Sequence, residues 1–265
     1  MIRNPKGSPP APGDPWALTV KRLQRSNHVG GVLFSGNAVR KCPAALERAG
    51  APRRFPATIK ETGIMRVGIF GGTFDPVHLG HLLVAEQCLE QCGLDEVWFI
   101  PAGVPPHKLS QAIASGKARA EMLELAVAGH ERFRVDRREL DRADPCYTIE
   151  TLAALHSEDA SRELYFILGG DSLMDFPTWR EPKRICELAK LAVANRGGAP
   201  LPDLEPLRPV LGELVESRVQ FVTIPGIDVS SSDVRRRVRD SKSIRYMTPR
   251  AVECYISTHK LYLNG

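Results

Sequence analysis

Short apolar runs alternate along most of the chain with stretches whose apolar residues recur every three to four positions, the pattern of strands and amphipathic helices in turn. Met65–Phe70 predicts a first strand, Leu79–Cys92 a helix with Leu82, Ala85 and Leu89 on one face, and Val97–Ile100 a second strand, a βαβ opening. The pattern continues with a helix over Arg119–Ala128, a short strand Phe133–Val135, a helix Thr148–His156 and a buried strand Leu164–Leu168. A helix Lys183–Leu188, a strand Leu191–Ala194, a helix Leu207–Ser217 and a strand Val219–Ile224 come next. The chain then reads as two helices, Ser232–Arg239 and Pro249–His259, the last with Thr248 as N-cap and Pro249 at its first position. Strands separated by helices rather than by tight turns predict an α/β fold with a parallel sheet. No internal repeat interrupts the alternation.

The first 64 residues break the pattern. They carry Pro9, Pro10, Pro12, Pro15, Pro43, Pro52 and Pro56 among basic residues and sustain neither period. Residues 1–64 read as a basic, proline-containing leader with little folding capacity, either a targeting segment or the product of a start codon assigned upstream of Met65. Residues 65–265 read as the folded domain.

Charge sharpens that division. The net charge of +5 is not spread evenly: residues 1–64 hold 11 Lys and Arg against 3 Asp and Glu, and the remainder holds 25 against 28. The body is therefore slightly acidic, which argues against a nucleic-acid partner for it. No run of eighteen uncharged apolar residues occurs, so no membrane partner is expected. Six cysteines (Cys42, Cys88, Cys92, Cys146, Cys186, Cys254) lie scattered without a small-domain framework, the usage of reduced thiols in a cytoplasmic protein.

The chemistry concentrates in GGTFDPVHLGH, Gly71 to His81, directly after the first strand and running into the next helix. Two glycines at the carboxyl end of a parallel strand let backbone approach a ligand closely, and the following helix N-terminus offers N–H groups to phosphate. His78 and His81, three apart, bring both imidazoles to that point, with the Thr73 hydroxyl beside them. Such a set surrounds an oxyanion without a covalent nucleophile. A metal pair is the competing reading of His-x-x-His, but no closed zinc spacing accompanies it, and Cys88 and Cys92 one helical turn apart read as packed thiols.

This segment resembles the signature of the nucleotidylyltransferase superfamily, with Thr73 and the pair His78 and His81 supplying its core. Three further segments, Phe99 to Lys108 (FIPAGVPPHK), Gly169 to Trp179 (GGDSLMDFPTW) and Val229 to Arg237 (VSSSDVRRR), look like those of bacterial nicotinate-nucleotide adenylyltransferases. The resemblance covers Met65 to about Leu263. It implies a Rossmann-like nucleotidylyltransferase fold, a parallel sheet flanked by helices with a small C-terminal helical part. It also implies adenylyl transfer from ATP to nicotinate mononucleotide, with Mg2+ carried on the ATP phosphates and no metal held by the protein itself.

Residue by residue, the resemblance places His78, His81, Thr73 and Arg235 at the reaction. Gly71, Gly72, Asp171, Ser231 and Ser232 join them around ATP, Asp171 on a ribose and the serines with Arg235 at the triphosphate. Lys108 faces a phosphate, Trp179 stacks on the nicotinate ring, and backbone amides at Thr148 and Arg180 hold its carboxylate. The family often continues the loop after the fifth strand with Arg-Pro-Gly, and backbone contacts to adenine are expected there. This chain instead has Arg196-Gly197-Gly198-Ala199-Pro200. A nicotinamide mononucleotide or pantetheine-phosphate acceptor, or a non-catalytic nucleotide sensor, are the alternatives. Pantetheine-phosphate enzymes usually carry another residue where His78 stands, and a sensor is expected to have lost a histidine or the serine anchor. Homo-oligomers remain open at this level.

Overall fold

The computed structural model describes residues 63–103, 114–142, 144, 146–197 and 200–263. The expectation of an unfolding leader therefore lies outside the described residues, as do Lys108, Gly198 and Ala199.

Six strands form one sheet: β1 (Arg66–Gly72), β2 (Glu96–Pro101), β3 (Phe133–Val135), β4 (Glu163–Gly169), β5 (Ala189–Arg196) and β6 (Val219–Ile224). Their order is β3-β2-β1-β4-β5-β6 and every pairing is parallel. The chain builds outward from β1 in one direction, returns, and builds outward in the other. The reversal falls between β1 and β4, where doubly wound sheets open a crevice at their carboxyl ends.

Between them run α1 (Leu79–Gln91), α2 (Gly116–Val127), α3 (Thr148–Glu158), α4 (Gly170–Asp175), α5 (Pro182–Leu188), α6 (Arg208–Leu211) and α7 (Leu214–Arg218), and α8 (Ser231–Arg239) and α9 (Arg250–Thr258) follow β6. The alternation of each strand sorts the core into two layers. In β4, Tyr165 and Ile167 join Phe70, Phe99, Leu89 of α1, Met122 and Leu123 of α2, and Val252 and Ile256 of α9. Leu164, Phe166 and Leu168 point the other way, onto Leu152 and Leu155 of α3, Ile185 of α5, and Leu211 and Val215. Helices thus cover both faces, which is why the central strands read as continuous apolar runs.

Three expectations change. The predicted helix Leu207–Ser217 is a 3-10 turn, Glu205–Leu207, followed by α6 and α7, because Gly212 between them has φ +57, which a continuous right-handed helix excludes. The last helix begins at Arg250 with Pro249 as its cap, and Thr248 instead turns its hydroxyl inward to donate to Val77 O at 2.9 Å. The helix predicted from Arg119 starts at Gly116, with Ser115 Oγ accepting from Ala118 N at 3.2 Å.

Candidate active site

At the carboxyl end of β1 the chain turns sharply, with Phe74 in the left-handed region at φ +49. The Phe74 ring is buried against Phe70, Phe99 and His81, an aromatic floor beneath the histidine. Four backbone carbonyls of this turn are held by side chains from elsewhere. Arg119 Nη1 donates to Thr73 O (2.9 Å), Arg235 Nη1 to Asp75 O (2.7 Å), Ser231 Oγ to Pro76 O (2.9 Å) and Thr248 Oγ1 to Val77 O. Carbonyls inside a protein need donors, and this arrangement satisfies them while fixing the path from Thr73 to His78.

Arg119 is almost fully buried and also donates to Ala114 O (3.2 Å) and Gly103 O (3.1 Å). It therefore ties the turn after β1 to both described ends of the segment after β2. Desolvation pulls the Arg119 guanidinium below its ordinary range, and the charge of Asp75 opposes that pull. Gly103 itself is pressed against the chain after β3: a Cβ there would lie 2.4 Å from Glu139 O.

His78 caps α1 and His81 stands one turn in. Their rings stack at 3.7 Å with 24° between planes. The His78 backbone N–H donates to His81 Nδ1 at 3.2 Å, so the neutral His81 ring carries its proton on Nε2. His78 Nδ1 is buried without a hydrogen-bond partner among the described residues. Burial lowers His78 to about 4, and burial together with the neighbouring His78 holds His81 well below 6.5. Both imidazoles are neutral at pH 7, so they act as N–H donors rather than as cations.

Two adjoining clefts lie nearby, and the smaller reaches the start of this turn at Thr73. One, of about 450 Å³, is lined by Gly71, Gly72, Thr73, Glu139, Thr148 and Trp179 among others. The second, of about 850 Å³, is lined by Tyr147, Thr148, Asp175, Thr178, Trp179 and Arg180. Trp179 and Thr148 belong to both walls. Trp179 packs edge-on against Phe166 and at a tilt against Phe176, leaving the indole half-buried at the boundary. Thr148 opens α3, whose cap residue Tyr147 supplies no side-chain acceptor to the first turn. Burial raises the Glu139 carboxyl, while Thr151 Oγ1 donates to it at 2.7 Å.

Residues 69–237 match the cytidylyltransferase-like family. The chain belongs to that family. Proteins named probable nicotinate-nucleotide adenylyltransferase are 46% identical to it in Thermomicrobium roseum, over 74% of this chain and 91% of that one. The Thermus thermophilus relative of the same name is 44% identical over 75% of this chain and all of its own. Among solved structures, Plasmodium falciparum nicotinic acid mononucleotide adenylyltransferase complexed with NaAD shares the fold with a TM-score of 0.62 and 18% identity. That alignment covers 76% of this chain and 98% of that one.

In this cytidylyltransferase-like chain the expected site residues divide into three groups. Gly71, Gly72, Thr73, Thr148 and Trp179 come together around one cleft, with His78 and His81 at the turn that enters it. Ser231, Ser232 and Arg235 reach the same turn from α8: Arg235 Nη2 donates to Ser232 Oγ (3.3 Å) while its other arm holds Asp75 O. Ser230 is the cap of α8, its Oγ accepting from Asp233 N at 3.1 Å, so the helix begins one residue earlier than expected. Asp171 is exposed in the first turn of α4, whose cap is Gly169. Arg180 Nη1 donates to Glu150 Oε1 (3.1 Å) and its guanidinium lies over the Tyr147 ring.

After β5, Gly197 N donates to Ile224 O at 2.7 Å, so that amide is engaged with the sheet rather than open to an adenine. Sequence reasoning passed over Asp75, Arg119 and Tyr262 and read Thr248 only as a helix cap; all four frame the histidine turn from within. A buried arginine and a distant tyrosine carry no local pattern that marks them, although Asp75 lies inside the motif itself. Among the described residues no three His, Cys, Asp or Glu side chains come together as a metal site, and no helix is long and apolar enough to cross a membrane.

Proposed function

We propose that this protein transfers the adenylyl group of ATP to nicotinate mononucleotide, giving deamido-NAD and pyrophosphate in NAD biosynthesis. The observation that carries the reading is the stacked, neutral His78–His81 pair at the β1–β4 switch point, beside a cleft walled by Trp179 and the start of α3. A phosphate oxygen of the mononucleotide attacks the α-phosphorus of ATP in line. The new P–O bond forms as the bond to the bridging oxygen breaks, and pyrophosphate leaves with that electron pair. No protein nucleophile takes part, so the rate comes from positioning and from donors aimed at the charge on the α-phosphate.

His81 Nε2–H and His78 are the donors at that phosphate, with Thr73 beside them. Gly71 and Gly72 admit the nucleotide, Asp171 accepts from a ribose hydroxyl, and Ser231, Ser232 and Arg235 meet the triphosphate. Lys108 faces the mononucleotide phosphate. Trp179 offers a face to the pyridine ring, and amides at Thr148 and Arg180 receive its carboxylate, which selects the acid over the amide. ATP enters as its Mg2+ complex; a hard cation satisfied by phosphate oxygens and water suits a cleft whose described residues form no ligand cluster.

The test is pyrophosphate release by the purified protein with ATP and magnesium, comparing nicotinate mononucleotide, nicotinamide mononucleotide and no acceptor. Release that requires the nicotinate acceptor, with deamido-NAD as product, is the expected result. Release with the amide alone, or with neither acceptor, overturns the assignment.

A further inference from the structure

Asp75 is 1% exposed and sits behind the histidine turn. Its Oδ1 accepts from Ala114 N (3.1 Å) and from the hydroxyl of Tyr262 (2.6 Å), near the end of the chain and 187 positions away. Its Oδ2 has no hydrogen-bond partner among the described residues and lies 3.8 Å from Arg235 Nη1. Arg235 in turn is partly exposed, and its second arm meets Ser232 at the start of α8. The arginine thus stands between a buried carboxylate and the rim of the site. Burial and the adjacent carboxylate keep the Tyr262 phenol protonated, so it is a permanent donor to Asp75.

We propose that Tyr262 is a positioning residue for Arg235: by donating to Asp75 it takes up part of the carboxylate's charge and leaves the guanidinium at the rim, where the ATP phosphates bind. The inference rests on the adenylyl-transfer reading for the identity of the anion. Its physical basis is competition. A buried carboxylate that loses a donor must be compensated by the nearest cation, and the nearest guanidinium nitrogen is just beyond hydrogen-bond range. Without the hydroxyl, Asp75 draws Arg235 inward and away from the triphosphate. The mononucleotide contacts, on α3 and around Trp179, involve neither group.

The experiment is a cycle of Tyr262→Phe, Arg235→Met and the double variant, with ATP affinity measured by titration calorimetry and both Michaelis constants measured by pyrophosphate release. Tyr262→Phe is expected to weaken ATP roughly tenfold, the loss of about one charge-assisted contact. The Michaelis constant for nicotinate mononucleotide is expected to stay unchanged. In the Arg235→Met background the same change is expected to weaken ATP no further, because the group through which Tyr262 acts is gone.

Unchanged ATP affinity in Tyr262→Phe, equal losses for both substrates, or full additivity in the cycle overturns the inference. Should Tyr262→Phe melt at the assay temperature, Tyr262→His, which keeps a ring N–H donor, replaces it. ATP affinity closer to wild type than in Tyr262→Leu is then expected, and equal loss in both overturns the inference. A wild-type protein that binds ATP but adenylylates no acceptor brings down the adenylyl-transfer reading and leaves the calorimetric test of Tyr262 intact.

Discussion

Two imidazoles stacked at 3.7 Å would repel one another if both were charged, and the fold avoids this by desolvating them. The consequence is measurable in the ring titrations and in stability. Unfolded, each histidine takes a proton near 6.5; folded, His78 does so only at about 4 and His81 also well below 6.5. Above pH 6.5 both rings are neutral in both states, and the pair leaves stability independent of pH. As the pH falls from 6.5 toward 4 the unfolded chain binds protons that the folded chain refuses, so stability drops by up to about 1.4 kcal/mol per pH unit for each ring. NMR titration of the imidazole Cε1–H signals tests the cause directly: a midpoint near 6.5 for His78 overturns it. In the proposed reaction, His81→Ala removes the N–H assigned to the developing charge and is expected to lower turnover by roughly 10²–10³-fold, about 2.7–4 kcal/mol. A folded variant with wild-type turnover removes His81 from the mechanism. Both histidines were legible in the sequence because the strand, the two glycines and the helix start adjoin them. Their neutrality was not, because it depends on Phe70 and Phe74 closing over His81.

Among the elements, those with a clear period and distant breakers matched expectation. Leu164–Leu168 and Val219–Ile224 are strands with little change of boundary, and Leu79–Cys92 differs from α1 by its last residue. The failures are local and have causes. Leu207–Ser217 has helical spacing throughout, and only Gly212 betrays the break. Thr248 followed by proline has the letters of a cap, yet its hydroxyl is worth more on the Val77 carbonyl, a partner 171 positions away. The Gly212 break also yields a prediction. At φ +57 and ψ −133 the residue occupies a region closed to side chains, while nothing lies within 4 Å of where a Cβ would stand. Gly212→Ala therefore tests backbone strain free of any clash. It is expected to cost about 1–3 kcal/mol in chemical denaturation, with wild-type Michaelis constants because the junction is remote from the clefts. A neutral substitution would mean that the chain passes this point in another conformation.

At the scale of the whole molecule, the histidine turn is built near one end of the domain and secured from the other. Met247 O accepts from Leu79 N (2.9 Å), Thr248 holds Val77 O and Tyr262 holds Asp75, all from the last stretch of the chain. The same stretch contributes Ile244, Val252 and Ile256 to the core layer that contains Phe70 and Phe99. A small helical part after the last strand was expected from the sequence, but spacing along the chain gives no measure of how deeply it enters the core. Burial does. Three apolar side chains at 5% exposure or less account for about 1.5–3 kcal/mol each, on the order of 5–9 kcal/mol together, against a total of roughly 5–15 kcal/mol for a domain. Removing residues 241–265 also strips Asp75 of its phenol donor and Val77 of its hydroxyl. The truncated chain is therefore expected to lose its cooperative thermal transition, rather than to persist as a folded but inactive protein. Calorimetry separates the two outcomes. A sharp transition within a few degrees of wild type would make this segment an appendage and would leave the histidine turn to be held by Arg119, Ser231 and Arg235; a broad or absent one would make it part of the core on which the turn is built.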